Sequence, residues 1–225
     1  MPILTISREF GSGGGEMAQK VAQSLGYHLA DKRTFETILR AYGLVEFGKE
    51  YDTLPSFWDH FNTLKMERRE ILIGTLNQAI LALAGHGRVV LVGRGNFAVL
   101  RGFADVLHVR VQAPLSLRVK RVIEQQPELA GSSVAEALVK ENDRLQKVFV
   151  ETVYGAQWES IKAFDLTIDT QKVPLDLAAS WLVQAVKVLP AAGTPHLRTT
   201  AELQVDRILA AAVADVFACP STHVN

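Results

Sequence analysis

Ile3-Leu-Thr-Ile-Ser-Arg-Glu-Phe-Gly-Ser-Gly-Gly-Gly-Glu-Met-Ala-Gln-Lys-Val-Ala22 is the stretch whose reading decides the fold. An apolar run (Ile3, Leu4, Ile6) leads into a glycine loop (Gly11, Gly13, Gly14, Gly15), and helical spacing begins behind it (Met17, Val21, Ala22, Leu25). Strand, glycine loop and helix together build a phosphate-binding site. Glycines let backbone N–H groups converge on an anion, and the helix N-terminus adds its partial positive charge. The competing reading of the same glycines is a tight structural turn. The phosphate-loop pattern G-x-x-x-x-G-K-[ST] continues with a lysine and a hydroxyl; here Gly14, Gly15, Glu16 and Met17 stand in that region. The cradle is Gly11, Ser12, Gly13, Gly14, Gly15 and Glu16, without the usual cation and magnesium-binding hydroxyl.

Outward from this loop, strands and helices alternate. Strands are expected over Pro2 to Ile6, Tyr27 to Asp31, Arg88 to Val92, Val106 to Val111 and Asp165 to Asp169. Helices are expected over Glu16 to Leu25, Lys32 to Tyr42, Asn62 to Ala84, from Gly95 towards Arg101, Pro114 to Ile123, Ser133 to Val153 and Val173 to Val188. Such alternation predicts an α/β, three-layer fold with a largely parallel sheet and helices on both faces. Ligands then sit outside the carboxyl ends of the strands, which gathers Ser7 to Gly15, Asp31–Lys32 and Gly93-Arg94-Gly95 around one crevice. Residues 1–189 read as the main domain, 43–61 as an aromatic-rich cover segment and 125–158 as a region carrying a charged helix. Residues 190–198 read as a Pro/Gly linker. Residues 199–219 read as one extra amphipathic helix, capped by Thr199 or Thr200, whose apolar stripe must be buried on the same domain or on a second chain.

A chain of 225 residues with 48% hydrophobic residues is long enough for one such domain with a substantial core. Lys plus Arg equals Asp plus Glu at 24 each, which argues against a general nucleic-acid binder. One cysteine, Cys219, excludes an intramolecular disulfide framework. No apolar run approaches the roughly 18 residues of a membrane span, and the six histidines show no metal-ligand spacing. A cytoplasmic protein with no membrane or nucleic-acid partner is expected, its ligand a nucleotide or other phosphate-bearing small molecule.

Taken in order, the motifs resemble the cytidylate-kinase-like family. They are the opening Leu4-Thr-Ile-Ser-Arg-Glu-Phe-Gly-Ser-Gly-Gly14, Asp31-Lys32, Gly93-Arg94-Gly95-Asn96, Ala113-Pro114 with Arg118 to Arg121, Asp143-Arg144, and Asp165 to Thr170. The resemblance covers roughly residues 3 to 188. It implies a P-loop nucleoside-monophosphate-kinase fold in which 125–158 is a lid-like region bearing arginine, with ATP and Mg2+ as cofactors and transfer of the γ-phosphoryl group to a nucleoside monophosphate. Matched to cytidylate kinases, the loop lysine falls at Gly14 and the hydroxyl at Glu16, and Val92-Gly93-Arg94-Gly95 replaces Asp-Gly-Arg-Asp.

Arg8, directly after the first strand, is a candidate to replace the lysine, against a pair with Glu9 or Asp31. Arg94 is a candidate phosphate ligand, because its planar fork suits phosphate oxygens; the other reading is a buried ion pair. Asp31 either orients the acceptor or a magnesium water, or caps the following helix. Arg144 and Lys147 either close on the phosphates as lid residues or belong to an exposed helix with pairs such as Lys140–Asp143 and Asp143–Lys147. Arg118 and Arg121 read as a solvated helix face. Glu16 favours its own helix by about 0.3–1 kcal/mol, but repels a phosphate unless it turns outward or binds through magnesium. Three functions follow: an active kinase, a degenerate nucleotide- or anion-binding module of the same fold, or a partner protein that dimerises through the C-terminal helix.

Overall fold

A computed structural model of the chain describes residues 2–44, 63–93, 95–131, 133–158, 160–189 and 198–218, and the side chains within these except those of 63–69. The cover segment beyond residue 44, Arg94, and the linker up to residue 197 lie outside the described residues.

The strands are β1 (Ile3–Arg8), β2 (His28–Ala30), β3 (Val89–Val92), β4 (Val106–Gln112) and β5 (Leu166–Asp169). They form one sheet in the order β2-β3-β1-β4-β5, with every pairing parallel. β1 is central, with Thr5 beside Leu91 on one side and His108 on the other. Its full burial explains why it reads as a continuous apolar run rather than an alternating one. The helices are α1 (Gly14–Leu25), α2 (Lys32–Ala41), α3 (Thr63–His86), α4 (Asn96–Val99), α5 (Leu115–Gln125), α6 (Val134–Tyr154), α7 (Leu175–Val188) and α8 (Arg207–Ala218).

Two cores cover the two faces. Leu4 and Ile6 pack with Val90, Val109 and Val111 beneath α1 and α7. Ile3, Val89 and Leu91 pack beneath α2, α3, α4 and α8. The three-layer expectation is therefore met. Most boundaries lie within two residues of those expected, and α1 starts at Gly14 rather than Glu16. Among the described residues no helix is long and apolar enough to cross a membrane.

The C-terminal segment corrects the sequence reading. It is not one helix from Thr199. Thr199 and Glu202 close a capping box around a 3-10 turn, and Thr200 is held by N–H and hydroxyl donation to the buried Asp105 carboxylate, at 2.9 and 2.7 Å. The chain then extends at Leu203, and Asp206 caps the true helix by accepting from the N–H groups of Ile208 and Leu209. A second, better-placed carboxylate thus restarts the helix seven residues later than Thr200. Leu209, Ala212 and Val213 of α8 are buried in the chain's own core with α2 and α3. The chain's own core thereby covers this part of the stripe, while Ile208 stays 65% exposed.

Candidate active site

The glycine loop leaves β1 at Arg8 and enters α1 at Gly14, turning through Gly11 (φ 79°) and Gly13 (φ 86°), conformations that glycine adopts without a Cβ penalty. A Cβ on Gly11 would lie 2.8 Å from the carbonyl oxygen of Arg118, so that glycine is required by close packing as well.

Four of the loop's carbonyl oxygens have donors. Glu9 O accepts from Ser12 N, and Gly13 O from Met17 N. Phe10 O accepts from Arg118 Nη1 at 3.1 Å. Ser12 O accepts from Arg121 Nη1 at 2.9 Å and from Thr170 Oγ1 at 2.7 Å. No side chain caps α1, and its first-turn N–H groups have no intrahelical acceptor. Engaged carbonyls beside such amides give the polarity an anion cradle needs.

A partly buried charge network frames this loop. The Glu9 carboxylate accepts from Ala113 N at 3.2 Å and lies 3.4 Å from both Arg110 and Arg118. Arg118 Nη1 also meets Asp143 at 2.5 Å, and the other Asp143 oxygen accepts from Phe10 N at 2.9 Å. Arg110 donates to the Trp158 carbonyl and lies 5.0 Å from the Trp158 ring centroid. Arg118 is therefore not on a solvated face: it is buried, and Arg121 clamps Ser12 and Thr170. The two arginines lie three residues apart on the α5 face turned to the loop, because the carbonyls there need donors. Asp143 is likewise engaged by the loop and by Arg118, and Lys140 meets Glu136 at 2.6 Å. Next to Arg110 along the same face of β4, burial holds the His108 imidazole below the usual histidine value, with Thr5 Oγ1 2.8 Å from Nδ1.

Arg8 lies against the loop. A Cβ on Gly14 would fall 2.6 Å from Arg8 Cβ, and one on Gly93 would fall 2.2 Å from Arg8 Nη1. The arginine therefore runs over the start of α1 and across the end of β3. Glu16 turns outward, 55% exposed, with Lys20 at 3.5 Å, and Lys20 also meets Asp176 at 2.6 Å. Gly15 has open space around it. Asp31 caps α2, its Oδ1 accepting from Thr34 N at 3.1 Å and from the Thr34 hydroxyl at 3.2 Å. Arg144 makes a two-pronged pair with Glu141, at 2.7 and 2.6 Å, on the exposed side of α6. Tyr154, at the end of α6, lies over Gly95 and donates to Asn77 Oδ1 at 2.8 Å.

The fold thus brings Arg8, Ser12 and the glycines together, and places Asp31 and Arg144 in other hydrogen-bonded roles. Sequence reading missed Glu9, Arg110 and Asp143. The available signal was a charged residue, Arg110, on a strand otherwise fit for full burial. Among the described residues, no three His, Cys, Asp or Glu groups come together as a metal site.

Comparison with known proteins identifies the family. The model of the cytidylate kinase-like family matches residues 3–172. Cytidylate kinase of Pyrobaculum aerophilum is 27% identical over 181 residues, 78% of this chain and 88% of that protein. That of Staphylothermus marinus is 28% identical over 178 residues, 78% and 91% of the two chains. Among solved structures, an uncharacterized protein from Eubacterium ventriosum superposes with a TM-score of 0.59 at 19% identity, over 84% of this chain and 99% of that one. With a phosphate-type loop, an all-parallel sheet and a match across three quarters of its length, the chain belongs to the cytidylate kinase-like family.

Proposed function

We propose that the protein is a nucleoside monophosphate kinase of the cytidylate type, acting in the cytoplasm, with Arg8 replacing the missing loop lysine. The observation that carries this reading is the overlap of a Gly14 Cβ with Arg8 Cβ at 2.6 Å. A side chain at the lysine position would meet the Arg8 stem, and the Arg8 guanidinium reaches Gly93, so a cation already lies beside the loop. Guanidinium suits phosphate oxygens through its planar fork.

In this reading the α1 amides and Arg8 hold the phosphates of ATP, and Arg94 supplies a further phosphate contact. The network of Glu9, Arg110, Arg118 and Asp143 keeps the loop preorganised. The chain's work is positioning and charge neutralisation, which is most of what phosphoryl transfer asks of a protein. Magnesium, when bound, neutralises phosphate oxygens. The described residues supply no cage for it, and Glu16 at the hydroxyl position turns to Lys20, so the ion would be held chiefly by the nucleotide and water. The test offers ATP and magnesium with CMP, dCMP and UMP to the pure protein. Product from one of them is expected; no transfer together with no ATP binding by calorimetry overturns the reading.

A second reading has its own support. Asp31 is engaged as a helix cap, and Val92 and Gly95 stand where cytidylate kinases carry carboxylates. A nucleotide-binding module without turnover would show a nucleotide-dependent rise in melting temperature and no product.

A further inference from the structure

The two edges of the sheet are finished differently. At β2, the Leu29 carbonyl accepts from Thr34 Oγ1 at 3.1 Å, and Phe217 of α8 stacks on His28. β5 pairs with β4 alone, and among the described residues no strand lies on its outer side. Its Leu166-Thr-Ile168 carries no lysine or proline, the residues that commonly guard such an edge. The nearest acids are engaged within the chain: Asp165 Oδ2 accepts from His108 N, and Asp169 Oδ1 from Gln171 N. Above this edge stands α7. Its buried face (Ala178, Leu182, Val186) packs with Ile168 of β5 and separates two flanks. On one flank, Asp176 reaches Lys20 of α1 at 2.6 Å. The other flank, turned from α1 towards the β5 edge, carries Leu177, Trp181, Gln184 and Val188 along one stripe. Leu177, Trp181 and Val188 are 45%, 46% and 78% exposed. Leu166, two residues before Ile168 and so on the same side of the sheet, is also exposed. Asp176 and Lys187, the only charged residues of α7, fall on the α1 flank. Stripe and strand edge therefore form one uncharged, largely apolar face.

This face fits its own copy. An open strand edge takes up another strand through main-chain hydrogen bonds, and a strand joined to its copy about a two-fold axis normal to the sheet is antiparallel by symmetry. Such pairing sets the two α7 helices side by side on one face of the joined sheet, running in opposite directions. Because α7 covers β4 and β5, strands about 4.8 Å apart leave the helix axes about 10 Å apart, an ordinary packing distance. Trp181 lies near the middle of α7. Reversal about that point sets Leu177 opposite Val188 of the second copy, and Trp181 opposite Gln184, whose Oε1 can accept from the indole N–H. No charge is brought against a like charge, and nothing on the face selects a charged partner. We propose that the occupant of this face is a second copy of the chain, joined through β5 and α7 into a two-fold dimer with one continuous sheet. Each copy offers on the order of several hundred Å², the lower end for a specific interface, so the dimer forms at micromolar concentrations.

Sedimentation velocity on the full chain, from about 1 to 200 μM, tests it. The wild type is expected to pass from monomer to dimer over this range. Trp181→Glu and Leu166→Lys each place a charge on the face. Both positions are exposed, so the variants should melt where the wild-type monomer does, and each should weaken dimerisation by about tenfold or more. A wild type that stays monomeric throughout overturns the inference, as does a dimer that either folded variant leaves intact. Should neither variant fold, cysteine pairs decide, in a chain whose only cysteine is removed by Cys219→Ser. Leu177→Cys and Val188→Cys chains, mixed and oxidised, should link to one another, whereas either alone should not, because positions 177 and 188 are about 17 Å apart along the helix. A mixture that cross-links no more than the separate chains overturns the inference.

Discussion

Gly14 and Gly15 look interchangeable in sequence, yet their surroundings differ. A Cβ on Gly14 meets the Arg8 stem, whereas one on Gly15 meets nothing within 4 Å. Gly14→Ala is therefore expected to cost about 1–3 kcal/mol in chemical denaturation, the usual cost of overpacking. Gly15→Lys should leave stability within about 0.5 kcal/mol while raising ATP affinity, so a lysine can be restored at position 15 but not at 14. Arg8→Met keeps the stem and removes the cation; calorimetry should show ATP binding weaker by about tenfold or more. An unchanged affinity would leave Arg8 as packing alone. Two neighbours on α6 separate in the same way. Asp143→Ala abandons buried Arg118 and the Phe10 N–H and should cost about 2–4 kcal/mol. Arg144→Ala removes an exposed pair and should leave the melting temperature where it was. If that variant also lost phosphoryl transfer, Arg144 would be assigned to the lid.

Elements meet at one titratable junction. His28 of β2 stacks on Phe217 of α8 at 4.0 Å, and His86 at the end of α3 lies edge-on to both, at 5.7 and 5.2 Å. Burial, then the neighbouring His86 and Arg88, hold the His28 imidazole below its ordinary 6.5. The unfolded chain takes up this proton more readily than the folded one, so the effect on stability is absent above about pH 6.5 and grows as pH falls towards the folded value. Melting curves between pH 7.5 and 5 should show a loss in the wild type that is smaller in His28→Phe, which preserves the stack without the charge. Equal pH dependence in the two would remove His28 as the cause.

At the scale of the molecule, α8 is part of the core rather than an appendage. Leu209, Ala212 and Val213 close the layer over α2 and α3, and Asp105 pins the approach through Thr200. Deleting residues 199–225 should uncover these faces at a cost of about 4 kcal/mol or more, read as a lower melting temperature or as aggregation in light scattering. A truncated chain that melts like the full one would show that the family fold stands without its C-terminal helix.

The order of strands and helices, the glycine loop and the family were legible in the sequence, because periodicity, glycine placement and capping residues act over a few positions and leave local marks. Asp31 was readable as a cap for that reason, with Thr34 three residues on. Tertiary structure alone decided what the charges do. Arg118, Arg121 and Asp143 resemble surface residues of charged helices, and only the approach of α5 and α6 to Phe10 and Ser12 turns them into the loop's frame. It also decided that the Arg8 stem packs beside Gly14 with its guanidinium at Gly93, and that α8 starts at Arg207 and closes its own chain's core. These outcomes depend on contacts between residues far apart in sequence, such as Thr170 and Ser12, 158 positions apart. The free energy of such contacts comes from burial and partners that the fold creates, and no local pattern records it.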